Sequence, residues 1–247
     1  MTAPDWDATT YDRIADPMHR WGLTVLARLE LEGDERVLDA GCGSGRVTEA
    51  LLERLPNGHV VALDASPAML AAARTRLARF GDRVEFVEAD LGLPLPIDAP
   101  VDAVLSTATF HWVPDHDALF RSLAAVVRSG GRLDAQCGGS GNIASLERVL
   151  RDIGAPDGGG LNFAKPLLTV ARLEAAGFRD AEVWLTDEPT RLEPGEPLET
   201  YLATVCLREH VARLAPADRG AFVHEVAERM PEPVLDYVRL NILATRR

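Results

Sequence analysis

Three glycines fall within five residues at Gly41-Cys42-Gly43-Ser44-Gly45, between the apolar run Arg36 to Ala40 and a helical pattern from Val47 to Leu55. Glycine permits φ > 0 and lets a backbone pass close to another group. Three in one turn exceed what a simple reversal needs. Asp39 lies just ahead of the turn, and Asp64 closes the next apolar run, His59 to Leu63, nineteen residues after Gly45. Asp90 follows the third run, Arg83 to Val87. In strand–helix–strand units all three acids land at the carboxyl edge of a parallel sheet, where an acceptor holds the ribose diol of a bound nucleotide or nucleoside.

A dinucleotide turn reads G-x-G-x-x-G, which would put its third glycine at position 46, and that position is Arg46. Asp39 beside the turn would repel a pyrophosphate. It would attract the ammonium or sulfonium end of S-adenosylmethionine. The pattern therefore disfavours a nicotinamide oxidoreductase. It leaves open an enzyme that uses S-adenosylmethionine or a non-catalytic module that binds it.

The stretches D-A-G-C-G-S-G (39–45), L-D-A-S-P-A-M-L (63–70), A-D-L (89–91) and S-T-A-T-F-H-W-V-P-D-H (106–116) resemble the successive motifs of class I S-adenosylmethionine-dependent methyltransferases, nearest to the trans-aconitate methyltransferase group. The resemblance is strong over residues 6–137, returns over 234–247, and thins between. It implies an α/β, Rossmann-like, doubly wound fold: a mostly parallel seven-stranded sheet with an antiparallel last strand and a helical cap insertion. It implies that Asp39, Gly41, Gly43 and Gly45 surround the methionine and ribose, and that Asp64, with Ala65 beside it, bonds the ribose hydroxyls. Met69 would lie near the adenine, Asp90 and the Leu91 backbone would meet its amino group, and Thr107 and Ala108 would line the crevice. Trp6 and Tyr11 match a W-x4-Y start that closes over the cofactor. Met69 reads equally well as core, and Trp6 and Tyr11 as packing for the first helix. His111 is a candidate general base near neutral pH, or a hydrogen-bonded, half-buried histidine.

The acceptor implied by the resemblance is a small molecule methylated on a carboxylate oxygen. O- and N-methyl acceptors of specialised metabolism stay open. A polycarboxylate would require arginines in its pocket, and Arg13, Arg20, Arg172 and Arg191 are available for that part.

The elements that must position these residues alternate. A helix spans 13–31, with strands at 36–40, 59–63, 83–87, 101–106 and 132–137 and helices between them. Ser66-Pro67 and Asp115 are helix starts, and Gly130-Gly131 reads as a helix end. Beyond the glycines at 138–141 come a helix at 170–176, a strand at 181–186, helices near 197–209 and 216–229, and a long last strand from Val234 to Thr245. Residues 1–137 and 234–247 are expected to form the cofactor-binding core, and 138–233 the rest of the sheet and a helical substrate cap. Net charge is −12, which disfavours nucleic acid as a partner. The three cysteines lie far apart and fit neither a disulfide framework nor a metal site. With no apolar run of membrane length and no leader pattern, a cytoplasmic setting without a membrane partner is expected.

Overall fold

The computed structural model of the protein describes residues 16–155 and 160–247. Trp6, Tyr11 and Arg13 lie outside that range. Seven strands form one sheet, β1 (Arg36–Ala40), β2 (His59–Asp64), β3 (Val84–Glu88), β4 (Val101–Thr107), β5 (Val127–Gly138), β6 (Phe178–Asp187) and, last in the chain, β9 (Val238–Arg246). Their order is β3-β2-β1-β4-β5-β9-β6. β9 runs antiparallel to both neighbours and the rest are mutually parallel. The expected seven-stranded Rossmann-like sheet is present, with its last strand inserted one place in from the edge.

Helices cover both faces because each presents an apolar stripe to the strands. On one side α1 (Asp16–Arg28), α2 (Arg46–Arg54) and α3 (Pro67–Leu77) bury Val25, Leu51, Leu52, Ala73 and Leu77 against Val37, Val60 and Leu105. On the other, α4 (His116–Val126) and α6 (Pro166–Ala175) bury Leu119, Phe120 and Leu173 against Leu38, Val61, Leu133 and Ile242. Both expected caps are present. Ser66 Oγ accepts from Met69 N at 3.1 Å, and Asp115 Oδ1 accepts from the N–H groups of Asp117 and Ala118.

Four expectations need correction. Gly130-Gly131 does not end a helix: α4 stops at Val126, and the glycines lie inside β5 where its register with β4 shifts. Gly131 is required there because a Cβ would sit 2.8 Å from Asp102 O. α5 (Ala144–Asp152) was not anticipated. Its first turn is held by Asp236, whose carboxylate accepts from Ser145 N and Oγ at 3.0 and 2.6 Å, so no local cap marks it. The helix near 197–209 is α7 (Glu196–Tyr201), a π-turn at Leu202–Cys206, and α8 (Arg208–Arg213); α9 (Arg219–Arg229) follows. The long last strand is two, because β8 (Val234–Leu235) pairs with β7 (Thr190–Arg191) before β9 begins. That ribbon ties together the ends of the segment 192–233, which packs as a cap with Leu198, Tyr201, Leu202 and Val226 against Met18, Trp21 and Tyr237. Among the described residues no helix is long and apolar enough to cross a membrane.

Candidate functional site

The chain order reverses between β1 and β4, which makes the carboxyl ends of these strands the natural ligand crevice. The glycine turn fills that place. Gly41, Gly43 and Gly45 all have positive φ, at 88°, 54° and 84°. The turn is pinned to β2 by Gly41 N and Cys42 N, both donating to Leu63 O at 2.8 and 2.9 Å. The three glycines have different neighbours. A Cβ at Gly41 would lie 2.1 Å from Thr109 Oγ1, and one at Gly45 3.2 Å from Leu77 on α3. A Cβ at Gly43 would meet no protein atom within 4 Å. Gly43 therefore presents the open face of the turn.

Asp64 ends β2 with its carboxylate already oriented. Oδ2 accepts from Gly43 N and Oδ1 from Ser66 N, each at 2.9 Å. Asp39 is different: it is fully buried, and Thr48 Oγ1 donates to its Oδ2 at 2.7 Å. Burial pushes its carboxyl up to about 7, the Thr48 bond opposes this, and the nearby charge of Asp64 adds to it. Asp90 is exposed, and its Oδ1 caps Gly92 N at 2.8 Å. Leu91 is buried in the core below it. Ala65 is exposed, and Met69 is buried on α3.

The segment after β4 joins this crevice to a second cavity. Thr107 faces α1 and would lie 3.5 Å from a Cβ at Gly22. Thr109 Oγ1 donates to Gly41 O at 3.3 Å. Between them Ala108 is held at φ 54°, its N–H donating to Gln136 O at 2.7 Å. Strained backbone of this kind clusters at ligand sites. Ala108 lines a pocket whose other walls include Met18, His111, Asn142, Phe163, Tyr237 and Arg239.

A family profile described as a methyltransferase domain matches residues 37–131. The chain is 39% identical over 242 residues to the trans-aconitate 2-methyltransferase of Variovorax paradoxus strain S110, an alignment covering 92% of this chain and 90% of that protein. It is 33% identical over 235 residues to the trans-aconitate 2-methyltransferase of Azoarcus sp. strain BH72, covering 88% and 89%. The chain belongs to the class I methyltransferases, in the family of the trans-aconitate 2-methyltransferases. The fold has the same kinship. Phosphoethanolamine N-methyltransferase 2 of Haemonchus contortus, solved with phosphomonomethylethanolamine and S-adenosylhomocysteine, superposes with a TM-score of 0.65 at 18% identity, over 97% of this chain and 56% of that one.

S-adenosylmethionine is the cofactor of this methyltransferase class, and the crevice fits it. The turn has its open face at Gly43, and the Asp64 carboxylate stands oriented beside it. The pocket beyond Ala108 is the methyltransferase's candidate acceptor site, and its polar inventory is one-sided. Arg239 is buried there with its guanidinium 4.5 Å from the Trp21 ring centroid. Asn142 Oδ1 accepts from Val238 N at 3.0 Å, leaving its NH₂ as the pocket-side group. His111 Nδ1 accepts from Gly138 N at 3.3 Å, so the ring proton belongs on Nε2. Burial of the ring, then the charge of Arg239, holds His111 well below its ordinary pKa. A neutral ring with its proton on Nε2 donates to the pocket. The base reading needs the opposite tautomer, which would set Nδ1–H against Gly138 N–H, so the geometry goes against it. No carboxylate lines the pocket among the described residues.

The arginines picked out from the sequence lie elsewhere. Arg20 is exposed on α1, Arg172 is 3.5 Å from Asp117, and Arg191 pairs with Glu232 at 2.6 Å on the β7–β8 ribbon. Sequence reasoning passed over Arg239 because its strand reads as the end of the sheet.

Proposed function

We propose that this enzyme methylates a carboxylate oxygen of a small, anionic acid, with trans-aconitate as the first acceptor to test. The observation that carries the reading is the pocket beside Ala108, which Arg239, Asn142 and His111 line and which, among the described residues, no carboxylate lines. S-adenosylmethionine supplies an electrophilic methyl group on a sulfonium. A carboxylate is nucleophilic when ionised, so no residue has to remove a proton from it. The protein's contribution is alignment, which can lower a barrier by about 7–11 kcal/mol. Arg239 supplies charge for the acid, Asn142 and His111 Nε2–H supply direction, and the cap, whose Tyr201 packs on Tyr237, excludes water. On the cofactor side Gly43 and Asp64 provide the cradle and the ribose acceptor. Asp39, Gly41 and Gly45 hold the turn in shape, Met69 and Leu91 bound the adenine side, and Asp90 and Ala65 stand at the rim. Thr107 braces the crossing segment against α1.

The test is transfer of labelled methyl to a panel of mono-, di- and tricarboxylic acids, with phenols and amines of similar size as controls. Turnover confined to acids is the expected result. Turnover of neutral phenols or amines with the acids inert would overturn the reading. Asp64→Ala is expected to weaken S-adenosylmethionine binding by at least about 1.5 kcal/mol in calorimetric titration, since charge-assisted bonds are lost. Unchanged affinity would remove Asp64 as the ribose acceptor.

A further inference from the structure

Among the described residues, three that are not glycine have positive φ: Ala108, Ile143 and Asp180. Asp180 has a local reason. It is an exposed aspartate where the register between β6 and β9 shifts, and aspartate tolerates left-handed backbone. Ala108 and Ile143 have no such reason, and both line the acceptor pocket.

Ile143 is the costlier of the two. It stands just ahead of α5 at φ 51° and ψ 34°. A β-branched residue is a poor choice for that conformation, which glycine takes freely and asparagine at little cost. It is a poor choice for a helix start as well, because it offers no oxygen to the first turn. Its neighbours supply what it lacks and hold it in place. Ile143 N donates to Asp236 O at 3.0 Å, and Ile143 O accepts from Glu147 N at 3.0 Å. Before it, Asn142 Oδ1 is fixed by Val238 N. After it, Ser145 is fixed by the Asp236 carboxylate. Strain of this kind persists only where the surroundings over-determine it. These bonds explain how an isoleucine is tolerated there, and not why it is present.

The side chain gives the reason. Ile143 is only 6% exposed and belongs to the cap cluster with Met18 and Tyr237. All three line the pocket. Met18 is unbranched and adapts to what lies beside it. Isoleucine is stiff at χ1, and here its backbone is pinned on both sides. A flexible wall follows its ligand, whereas a rigid one selects it.

We infer that Ile143 is a specificity-determining residue: its stiff side chain, fixed by a strained left-handed backbone, is the wall that limits the size of the acid the acceptor pocket takes. This rests on the proposed carboxylate methylation and adds the residue that sets its size limit.

The test is Ile143→Ala and Ile143→Gly in the full chain. Both are assayed with trans-aconitate and with trimesate, a bulkier planar tricarboxylic acid built on a benzene ring. The quantity read is the ratio of kcat/KM for trimesate to that for trans-aconitate, beside S-adenosylhomocysteine affinity and melting temperature. The ratio is expected to rise about tenfold or more in both variants, since one methylene in an apolar pocket is worth about 10–200-fold in discrimination. Homocysteine-product affinity should stay near wild type, a split that general damage to the fold would not give. Ile143→Gly should melt no lower than Ile143→Ala although it loses one carbon more, because glycine takes this φ without strain. A glycine variant that melts lower would mean a relaxed backbone and remove the ground for reading the isoleucine as a wall. A wild-type ratio in Ile143→Ala, with the wild type active on trans-aconitate, overturns the size limit and leaves the carboxylate reading standing. If neither variant folds, Ile143→Val, one carbon smaller, carries the test, and an unchanged ratio there overturns the inference. A wild type that methylates no acid of the panel removes both.

Discussion

Arg239→Met should leave a folded, cofactor-binding protein that has lost its acid substrate. Methionine keeps an unbranched apolar stem against Trp21. The missing charge is another matter. Losing one partner of a desolvated, hydrogen-bonded charge pair costs about 2–5 kcal/mol, which is a fall of about 30-fold to more than 1,000-fold in kcat/KM. Most of it should appear in KM, because Arg239 meets the acid before and during transfer alike. The check is steady-state kinetics with trans-aconitate beside calorimetric titration with S-adenosylhomocysteine. Equal losses of acid turnover and of cofactor binding would mean that Arg239 supports the fold and does not read the acceptor.

The second large effect is a contrast between two neighbouring glycines. Gly41→Ala places a Cβ on top of Thr109 at a backbone φ of 88°. Left-handed backbone costs about 1–2 kcal/mol and overpacking about 1–3 kcal/mol more, so a loss of roughly 2–5 kcal/mol in unfolding free energy is expected. Adding Thr109→Gly to that variant should return the overpacking share and none of the backbone share. Gly43→Ala meets open space, so its folding cost should be the backbone share alone, about 1–2 kcal/mol. Its Cβ then stands where the cofactor is expected, so S-adenosylmethionine affinity should fall by about tenfold or more. Denaturant melts and titrations on both variants check the pair. If Gly43→Ala binds the cofactor as wild type does, the open face of the turn is not the cofactor's side.

The cofactor crevice was legible in the sequence because its signals are local. Strand, glycine turn, helix and acid follow one another within thirty residues, and the Ser66 and Asp115 caps are read from their own neighbours. The acceptor pocket was not, and the reasons are physical. Its cation sits on a strand whose alternation, Val238, Leu240, Ile242 and Ala244 against Arg239 and Asn241, reads as one wet face and one dry face. α1 covers the polar face, so both are buried, and no property of the strand itself announces that cover. The spacing Leu146, Val149, Leu150 and Ile153 does carry a helical period, yet α5 escaped notice because its cap, Asp236, comes from far along the chain. His111 was found by position, but its role turns on a hydrogen from Gly138 N, a contact that only the folded chain makes.

The place of β9 has a consequence for how the molecule is made. Residues 238–246 enter the sheet after every other strand in chain order, yet they fill an interior position, with Arg132 of β5 paired to Thr245 and Phe178 of β6 to Arg246. Until that segment arrives, β5 is an unpaired edge and β6 has no partner in the sheet. Closing contacts across so long a span is slow, and exposed strand edges invite self-association meanwhile. During synthesis the cofactor crevice can assemble first, from β1 to β4, while the acceptor pocket waits for Arg239. The nascent enzyme would therefore gain its methyl-donor crevice before its substrate specificity.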